Sequence, residues 1–218
     1  MVLATLLLGA CASAPPVDVV GDDARFVLPG RFSELTTRAD LDAMFGTANV
    51  SLFEARDDDG RLWRSLVLFA QDPRRRAYLT FHDDANLAQL ASIEVRDAGS
   101  LWRGKRGVRI GMSLAEVRAI NGKPFALFGF DDRQRATVRD QWSPAIGDDA
   151  TLGALDVDEG ERLYFGVEFG PRAHPPPARD AFPRNEYLPS DDPRLDALGE
   201  LAEVTAFSAW SSLDDEWQ

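Results

Sequence analysis

Residues 112–128 read MSLAEVRAINGKPFALF, and residues 36–53 read TTRADLDAMFGTANVSLF. In each stretch a hydroxyl residue, Ser113 or Thr37, precedes an acidic residue by three positions. That spacing is typical of a capping box at the N-terminus of a helix. Apolar residues then recur at helical spacing, and a second apolar run follows after a glycine. Each stretch therefore predicts a short helix that leads into a strand.

Both predicted helices end at a glycine, Gly46 or Gly122, because glycine adopts the left-handed conformation of a helix C-cap at low cost. The strands that follow are expected at residues 50–53 and 125–130. The matching order suggests two structural repeats, offset by 76 positions from Thr37 to Ser113. The alternative is two unrelated helices that carry common caps.

Most of the remaining sequence is typical of antiparallel strands bounded by Asp-Gly, Asp-Pro and Asp-Ala-Gly turns. We expect a short helical turn at residues 85–90. We expect a long loop at residues 172–183, because His174 is followed by three prolines. The expected strands are residues 61–70, 76–82, 92–96, 136–142, 162–169 and 203–210. This pattern predicts an α+β fold made of two tandem repeats, each a short helix followed by an antiparallel sheet.

The N-terminal stretch LLLGACASAPP, residues 6–16, contains the single cysteine of the chain, Cys11. The apolar run before it is too short to span a membrane but has the length of a secretory signal. A leucine and two small residues before the cysteine are the pattern of a bacterial lipobox. We therefore expect a signal peptide at residues 1–10 and acyl chains such as palmitate on Cys11. The alternative is an ordinary buried cysteine.

Small residues and prolines after Cys11 are typical of a flexible tether, which we place at residues 11–30. The first repeat is then expected at residues 31–98 and the second at residues 99–218. Several acyl chains on one residue would hold the body at a bilayer without a transmembrane helix. Because Ala12 follows the cysteine, we expect the periplasmic face of the outer membrane rather than retention at the inner membrane.

The chain has 36 acidic and 24 basic residues and a net charge of −12. A phosphate-binding surface needs clustered lysines and arginines, so nucleic acid is a poor partner. The acidic residues come in pairs between apolar segments, which is typical of solvated turns. The segment from Asp156 to Gly160 also resembles the start of a calcium loop but lacks the distal bidentate glutamate. We predict no metal and no cofactor.

Residues 110–117, IGMSLAEV, and residues 121–124, NGKP, resemble the signature of small outer-membrane lipoproteins of the SmpA/OmlA type. The β-lactamase inhibitor protein shares that architecture of two tandem helix-plus-sheet repeats. Residues 109–114, 120–125, 129–130 and 190–193 also resemble a group of bacterial proteins that has no assigned activity. That group often continues with Trp-Asp-Tyr-Gly, where this chain has residues 131–134, DDRQ. The resemblance implies a fold and an outer-membrane location rather than a reaction.

A nucleophile with a partnering base is not evident in the sequence. The two histidines, His82 and His174, lie beside acidic residues and in the proline-rich loop, and no Gly-x-Ser-x-Gly elbow occurs. We predict that the chain is not an enzyme. A hydrolase that uses two of the many carboxylates is the alternative.

A partner-contact site is expected at Trp102, Arg103, Phe128 and Phe130, because aromatic and arginine side chains are common interface anchors. A core position for Trp102, at the junction of the repeats, is the alternative. The sequence thus favours a lipid-anchored envelope protein that binds another envelope protein. A structural lipoprotein without a specific ligand remains a further possibility.

Overall fold

A computed structural model describes most of the chain. The described residues are 23–139, 142–143, 153–158, 162–172, 178, 182–196, 198 and 201–212. The signal peptide, Cys11 and the His174–Pro177 run lie outside them.

Two helices carry the predicted caps. Helix α1 spans Arg38–Phe45 and helix α2 spans Leu114–Asn121. The Ser113 hydroxyl accepts a hydrogen bond from the Glu116 backbone N–H at 3.3 Å, and the Glu116 carboxylate accepts one from the Ser113 N–H at 2.7 Å. Thr37 makes the same reciprocal pair with Asp40 at the start of α1. Both predicted capping boxes are therefore confirmed.

The two helix ends differ. Gly122 adopts the left-handed conformation, with φ 78° and ψ −2°. Gly46 has a positive φ of 83° but an extended ψ of 139°, so the prediction of a left-handed cap is wrong there. The difference arises because the chain after Gly46 turns at once into a short 3₁₀ segment, Thr47–Asn49, before the next strand. A third helix, α3, spans Pro193–Asp196 and was not predicted.

Among the described residues, nine strands form one sheet, and every pairing between them is antiparallel. They are β1 Val50–Arg56, β2 Leu62–Leu68, β3 Ala77–Asp83, β4 Ala88–Val95, β5 Ala126–Phe128, β6 Ala136–Val138, β7 Tyr164–Pro171, β8 Tyr187–Pro189 and β9 Ala202–Trp210. Their order across the sheet is β1-β2-β3-β4-β9-β7-β6-β5-β8. The α+β class is confirmed. The helical turn expected at residues 85–90 is wrong, because β4 already begins at Ala88.

The hydrophobic core lies between one face of the sheet and the segments that cover it. Leu41 and Phe45 of α1 and Leu114 and Val117 of α2 are buried there. These side chains belong to one continuous cluster that also holds the inward residues of the strands. The core therefore runs unbroken across the boundary predicted between residues 98 and 99.

The segment before α1 also belongs to this core. Phe26 and Leu28 are buried, and the Phe26 ring lies 5.1 Å from that of Trp102 between centroids. The backbone at Val27 forms a bridge to Arg103. The predicted tether, residues 11–30, is therefore too long, because residues 24–30 belong to the folded body.

Candidate functional site

The sheet has a second face that none of the helices in the described residues covers, called here the open face. Cross-strand partners share a face of a sheet, so the strand register identifies its members. Partner by partner, the register links Tyr78 to Glu94, Glu94 to Ser208, and Ser208 to Gly166. Continued to both edges, it assigns these side chains to the open face: Phe53, Trp63, Tyr78, Glu94, Phe128, Thr137, Tyr164, Glu168, Tyr187, Ser208 and Trp210.

An exposed aromatic pair lies at each end of the open face. At the β1–β2 end, Phe53 is 50% exposed and Trp63 is 36% exposed, and their ring centroids lie 5.7 Å apart. At the β5–β8 end, Phe128 is 38% exposed and Tyr187 is 67% exposed, with centroids 5.2 Å apart. Large exposed aromatic groups on one face of a monomer are typical of contact surfaces.

Aromatic rings in the middle of the open face are held by arginines. The Tyr164 and Trp210 rings stack at 4.7 Å, and the Arg139 guanidinium lies 5.7 Å from the Trp210 centroid. The Arg96 guanidinium lies 3.8 Å from the Tyr78 centroid. These cation–π contacts fix the side chains in place. The middle of the face is therefore made of aromatic and charged groups in mutual contact.

A carboxylate with a perturbed pKa sits on the same face. Glu168 accepts a hydrogen bond from Arg135 Nη1 at 3.1 Å and from the Thr205 hydroxyl at 3.3 Å. Partial burial raises the pKa of the Glu168 carboxyl, and the Arg135 charge and the Thr205 hydroxyl offset only part of that rise. Glu94, two strands away on the same face, adds to the rise by charge repulsion.

Two hydrogen-bond donors of residues on or beside the open face are buried without an acceptor in the described part of the chain. They are Trp210 Nε1 and Arg135 Nε. A buried unpaired donor is costly in a folded protein and is often found at functional sites. Trp210 lies on the open face, and Arg135 contacts this face through its hydrogen bond to Glu168. This region therefore lacks the complete hydrogen-bond pairing that is usual for buried donors.

The four predicted partner-contact residues do not form one site. Phe128 is exposed on the open face, as a contact residue would be. Trp102 and Phe130 are instead buried in the core, and the prediction that they contact a partner is corrected. Trp102 is fixed there by a hydrogen bond from Nε1 to the Arg75 carbonyl at 2.8 Å. The half-buried Arg103 donates to the Leu101 and Trp102 carbonyls at 3.3 and 3.1 Å.

Phe130 is buried because the strand that contains Phe128 ends before it. Its ring packs against Phe182 at a centroid distance of 4.4 Å, and its backbone bridges to Arg184. Phe128 and Phe130 are two positions apart and would share a face only if the strand continued through both. The break after β5 therefore separates an exposed ring from a buried one.

One histidine contacts a serine. His82 Nε2 lies 3.1 Å from the Ser211 hydroxyl, which itself lies 2.6 Å from the Leu90 carbonyl oxygen. A carbonyl can only accept, so the serine proton points at Leu90 and the histidine nitrogen donates to the serine oxygen. This is the reverse of the arrangement in which a histidine takes the proton of a nucleophilic serine.

The segment that resembles a calcium loop is bound by a lysine. The buried Lys105 ammonium lies 3.0 Å from Asp158 Oδ2 and also donates to the Asp156 carbonyl. The hydrogen bond from Lys105, together with its charge, lowers the pKa of the Asp158 carboxyl. The Asp156 carboxylate accepts from the Gly153 N–H at 2.9 Å and from the Ser143 hydroxyl. The Asp156 and Asp158 carboxylates thus make contacts within the chain. In a calcium loop they would instead be ligands of the metal ion.

Within the described residues, no group of three or more His, Cys, Asp or Glu side chains is placed to hold a metal ion. None of the helices in that part of the chain is long and apolar enough to cross a bilayer. Comparisons with protein-family models, curated proteins and solved structures gave no match. The resemblance to small outer-membrane lipoproteins therefore stays a prediction.

Sequence reasoning did not identify most of the open face. Strand alternation places Tyr78 and Thr80 on one face of β3 and Leu79 and Phe81 on the other, and that division matches the burial. Which of the two faces the helices cover is set by tertiary packing. Tyr187 lies in a strand of three residues that carries no periodic pattern, so no sequence signal pointed to it.

Proposed function

We propose that this chain is a non-catalytic binding module of the bacterial cell envelope, and that its open face binds another envelope protein. The observation that carries this proposal is the pair of exposed aromatic clusters, Phe53–Trp63 and Phe128–Tyr187, at the two ends of one sheet face. Aromatic side chains of this kind contribute most of the binding energy in many protein interfaces.

The dimensions of the open face favour a protein over a small molecule as the partner. With neighbouring strands about 4.8 Å apart, the sheet measures about 38 Å from β1 to β8. A ligand that touched both aromatic ends would have to span most of that length. The polar middle, with Glu94, Glu168 and Ser208, would supply hydrogen bonds between two apolar anchors, as in a typical interface.

We also propose that the chain is built from two structural repeats. Each begins with a capped helix and continues into antiparallel strands: α1 with β1 to β4, and α2 with β5, β6, β7 and β9. The sheet order supports this, because the last strands of the two halves, β4 and β9, pair at the centre and the earlier strands follow outward on each side. Strand β8 is then an addition at the outer edge of the second half.

The envelope location rests on the sequence around Cys11. We propose that this cysteine is acylated and holds the body at the periplasmic face of the outer membrane. Mass spectrometry of the N-terminal peptide tests this directly, because acyl chains on Cys11 add a mass that an unmodified thiol lacks. A Cys11→Ala variant is expected to leave the membrane fraction, and a variant that stays there would overturn the anchoring proposal.

A hydrolase is the second candidate function, and Glu168 is the residue that favours it. A raised pKa is what a carboxyl group needs in order to donate a proton near neutral pH. A hydrolase of this kind would also need a second carboxylate, and Glu94 is the acid on the same face. Loss of a measured hydrolytic activity in both Glu168→Gln and Glu94→Gln would establish this function in place of the first.

The binding proposal is tested by recovering partners of the tagged full chain from detergent-solubilised envelope. A Phe128→Asp, Tyr187→Asp double variant is expected to lose a stoichiometric partner, because it places two charges where the face is apolar. Leu35→Asp is the matched control, since Leu35 is 72% exposed in the turn before α1. A partner retained by the double variant, or the recovery of no partner by the wild type, would contradict the proposal.

A further inference from the structure

The two edges of the sheet differ in a way that points to pairing at one of them. The edge strand β8 has three residues and ends at Pro189, which removes a backbone donor. The edge strand β1 has seven residues and pairs with β2 in an unbroken register. It contains no proline and no lysine. A long edge strand without these protective features is a site for pairing with another strand.

The backbone groups of β1 that have no partner within the described part of the chain can be assigned from the hairpin. Asp57 N–H donates to the Arg61 carbonyl, and Phe69 N–H donates to the Asn49 carbonyl. Hydrogen-bonded pairs alternate along an antiparallel ladder, so the odd-numbered residues of β1 face β2 and the even-numbered ones face outward. Val50, at the start, is already satisfied, because its N–H bonds to Thr47 and its carbonyl accepts from Arg38 Nη2.

Leu52 and Glu54 therefore present outward backbone groups in the middle of the edge. The side chains there are apolar on both faces of the sheet, since Leu52 is 48% exposed and Phe53 is 50% exposed. Successive residues point to opposite faces of a strand. A strand that pairs with β1 must therefore present an apolar side chain opposite Phe53, and Phe53 of a second copy is such a side chain.

We propose that a second copy of this chain pairs with β1 in antiparallel fashion, with Phe53 opposite Phe53. In this register the outward residue Leu52 is opposite Glu54 of the second copy. By symmetry, Glu54 is opposite Leu52 of the second copy. Each of the two pairs exchanges two backbone hydrogen bonds. On the open face, the Phe53 ring already contacts Trp63, so the two copies form a continuous row of four aromatic rings.

The charges favour this register over its neighbours. A shift that places Glu54 opposite Glu54 would set two like charges side by side, which destabilises a strand pair. A shift the other way, with Leu52 opposite Leu52, would leave Arg56 beyond the second copy's strand. In the proposed register the acidic turn Asp57–Asp59 of one copy lies opposite residues 47–49 of the other. Arg38, whose guanidinium reaches Val50, lies beside that position.

The interface is small, so the dimer is expected to depend on concentration. A seven-residue edge buries less surface than the roughly 1,200 Å² of a standard stable interface. This inference is independent of the proposed function, since the open face can bind a partner whether or not the edges pair. The variants that test it lie at the β1 edge, whereas those that test partner binding lie at the β5–β8 end.

Sedimentation of the purified full chain over a range of concentrations tests the dimer. We expect a species of twice the 24.0 kDa chain mass at about 100 µM. Phe53→Lys is expected to weaken association at least about tenfold, because it replaces the apolar pair by two positive charges that face each other. Tyr187→Lys, at the other edge, is expected to leave it unchanged. A wild-type chain that stays monomeric, or a dimer lost in Tyr187→Lys instead, overturns the proposal.

Disulfide formation tests the register. In a Cys11→Ala background, Phe53→Cys is expected to oxidise to a covalent dimer, because residues opposite each other at a non-hydrogen-bonded position lie about 4.5 Å apart between Cα atoms. Ser51→Cys is expected to cross-link far less, since its opposite residue is Ala55 of the second copy. Equal cross-linking of the two variants, or none by Phe53→Cys, overturns the proposed pairing.

Discussion

The loss of folding free energy in Trp102→Ala tests whether Trp102 is a core residue or a contact residue. The indole is fully buried, and its ring centroid lies 5.1 Å from that of Phe26, 6.0 Å from that of Phe32 and 6.2 Å from that of Phe45. Truncating a buried Trp or Phe to alanine costs about 3–5 kcal/mol. Loss of the Nε1 hydrogen bond to the Arg75 carbonyl adds about 1 kcal/mol. Since domains are stable by about 5–15 kcal/mol, we expect Trp102→Ala to lose about a third or more of the folding free energy.

Urea unfolding followed by far-UV circular dichroism measures this loss, and it avoids a fluorescence signal that the substitution itself removes. Trp63→Ala is the matched control, because it deletes the same side chain from the exposed end of the open face. We expect the control to lose about 1 kcal/mol or less. If the two variants unfold at the same urea concentration, Trp102 is not a core residue and the packing described here is wrong.

Three further substitutions have defined outcomes. Ser113→Ala removes the cap of α2 and is expected to cost about 1 kcal/mol at neutral pH in thermal unfolding. Hydrogen bonds from Ser113 lower the pKa of Glu116, so the cost should shrink as the pH falls below 4.5, and a pH-independent cost would contradict this. Because burial raises the pKa of Glu168, its carboxyl destabilises the fold as the pH rises above 4.5. The stability of Glu168→Gln relative to the wild type should therefore increase as the pH rises above 4.5. A difference in stability that does not change with pH would refute the raised pKa. Gly104→Ala places a Cβ 2.4 Å from Phe165 Cζ and is expected to lower the melting temperature, whereas an unchanged melting temperature would show that the ring moves freely.

The local features of the fold could be predicted because they rest on neighbours in sequence. The capping boxes at Thr37 and Ser113 need only a hydroxyl and an acid three positions apart, and both are present. The alternation in β3 likewise assigned its residues to two faces. Short-range hydrogen bonds and strand periodicity do not depend on the rest of the chain.

The position of Trp102 could not be predicted, because it depends on contacts with residues far away in sequence. An aromatic residue flanked by arginines resembles a surface anchor when only its neighbours are considered. Its burial is decided by Phe26, Phe45 and the Arg75 carbonyl, which come together only when the chain folds. The same holds for residues 24–30, whose apolar side chains fill the core beneath α1.

The open face depends on which side of the sheet the two helices cover, and the strand patterns alone leave that choice open. The amphipathic faces of α1 and α2 predicted that both helices pack on a sheet, but the side is set by the connections between elements. The Phe128–Tyr187 pair was partly accessible to sequence reasoning, since Phe128 was a predicted contact residue. Its partner Tyr187 comes from a strand that pairs with β5 across about sixty residues of sequence.

Site-specific photocrosslinking in intact cells tests most directly the claim that the open face binds a protein. A photoreactive phenylalanine derivative would replace Tyr78 or Tyr187 on the open face, or Leu35 outside it. We predict that both open-face positions form an adduct with one and the same protein, and that Leu35 forms none. An adduct that forms as strongly from Leu35, or an absence of adducts from both tyrosine positions, would contradict the account.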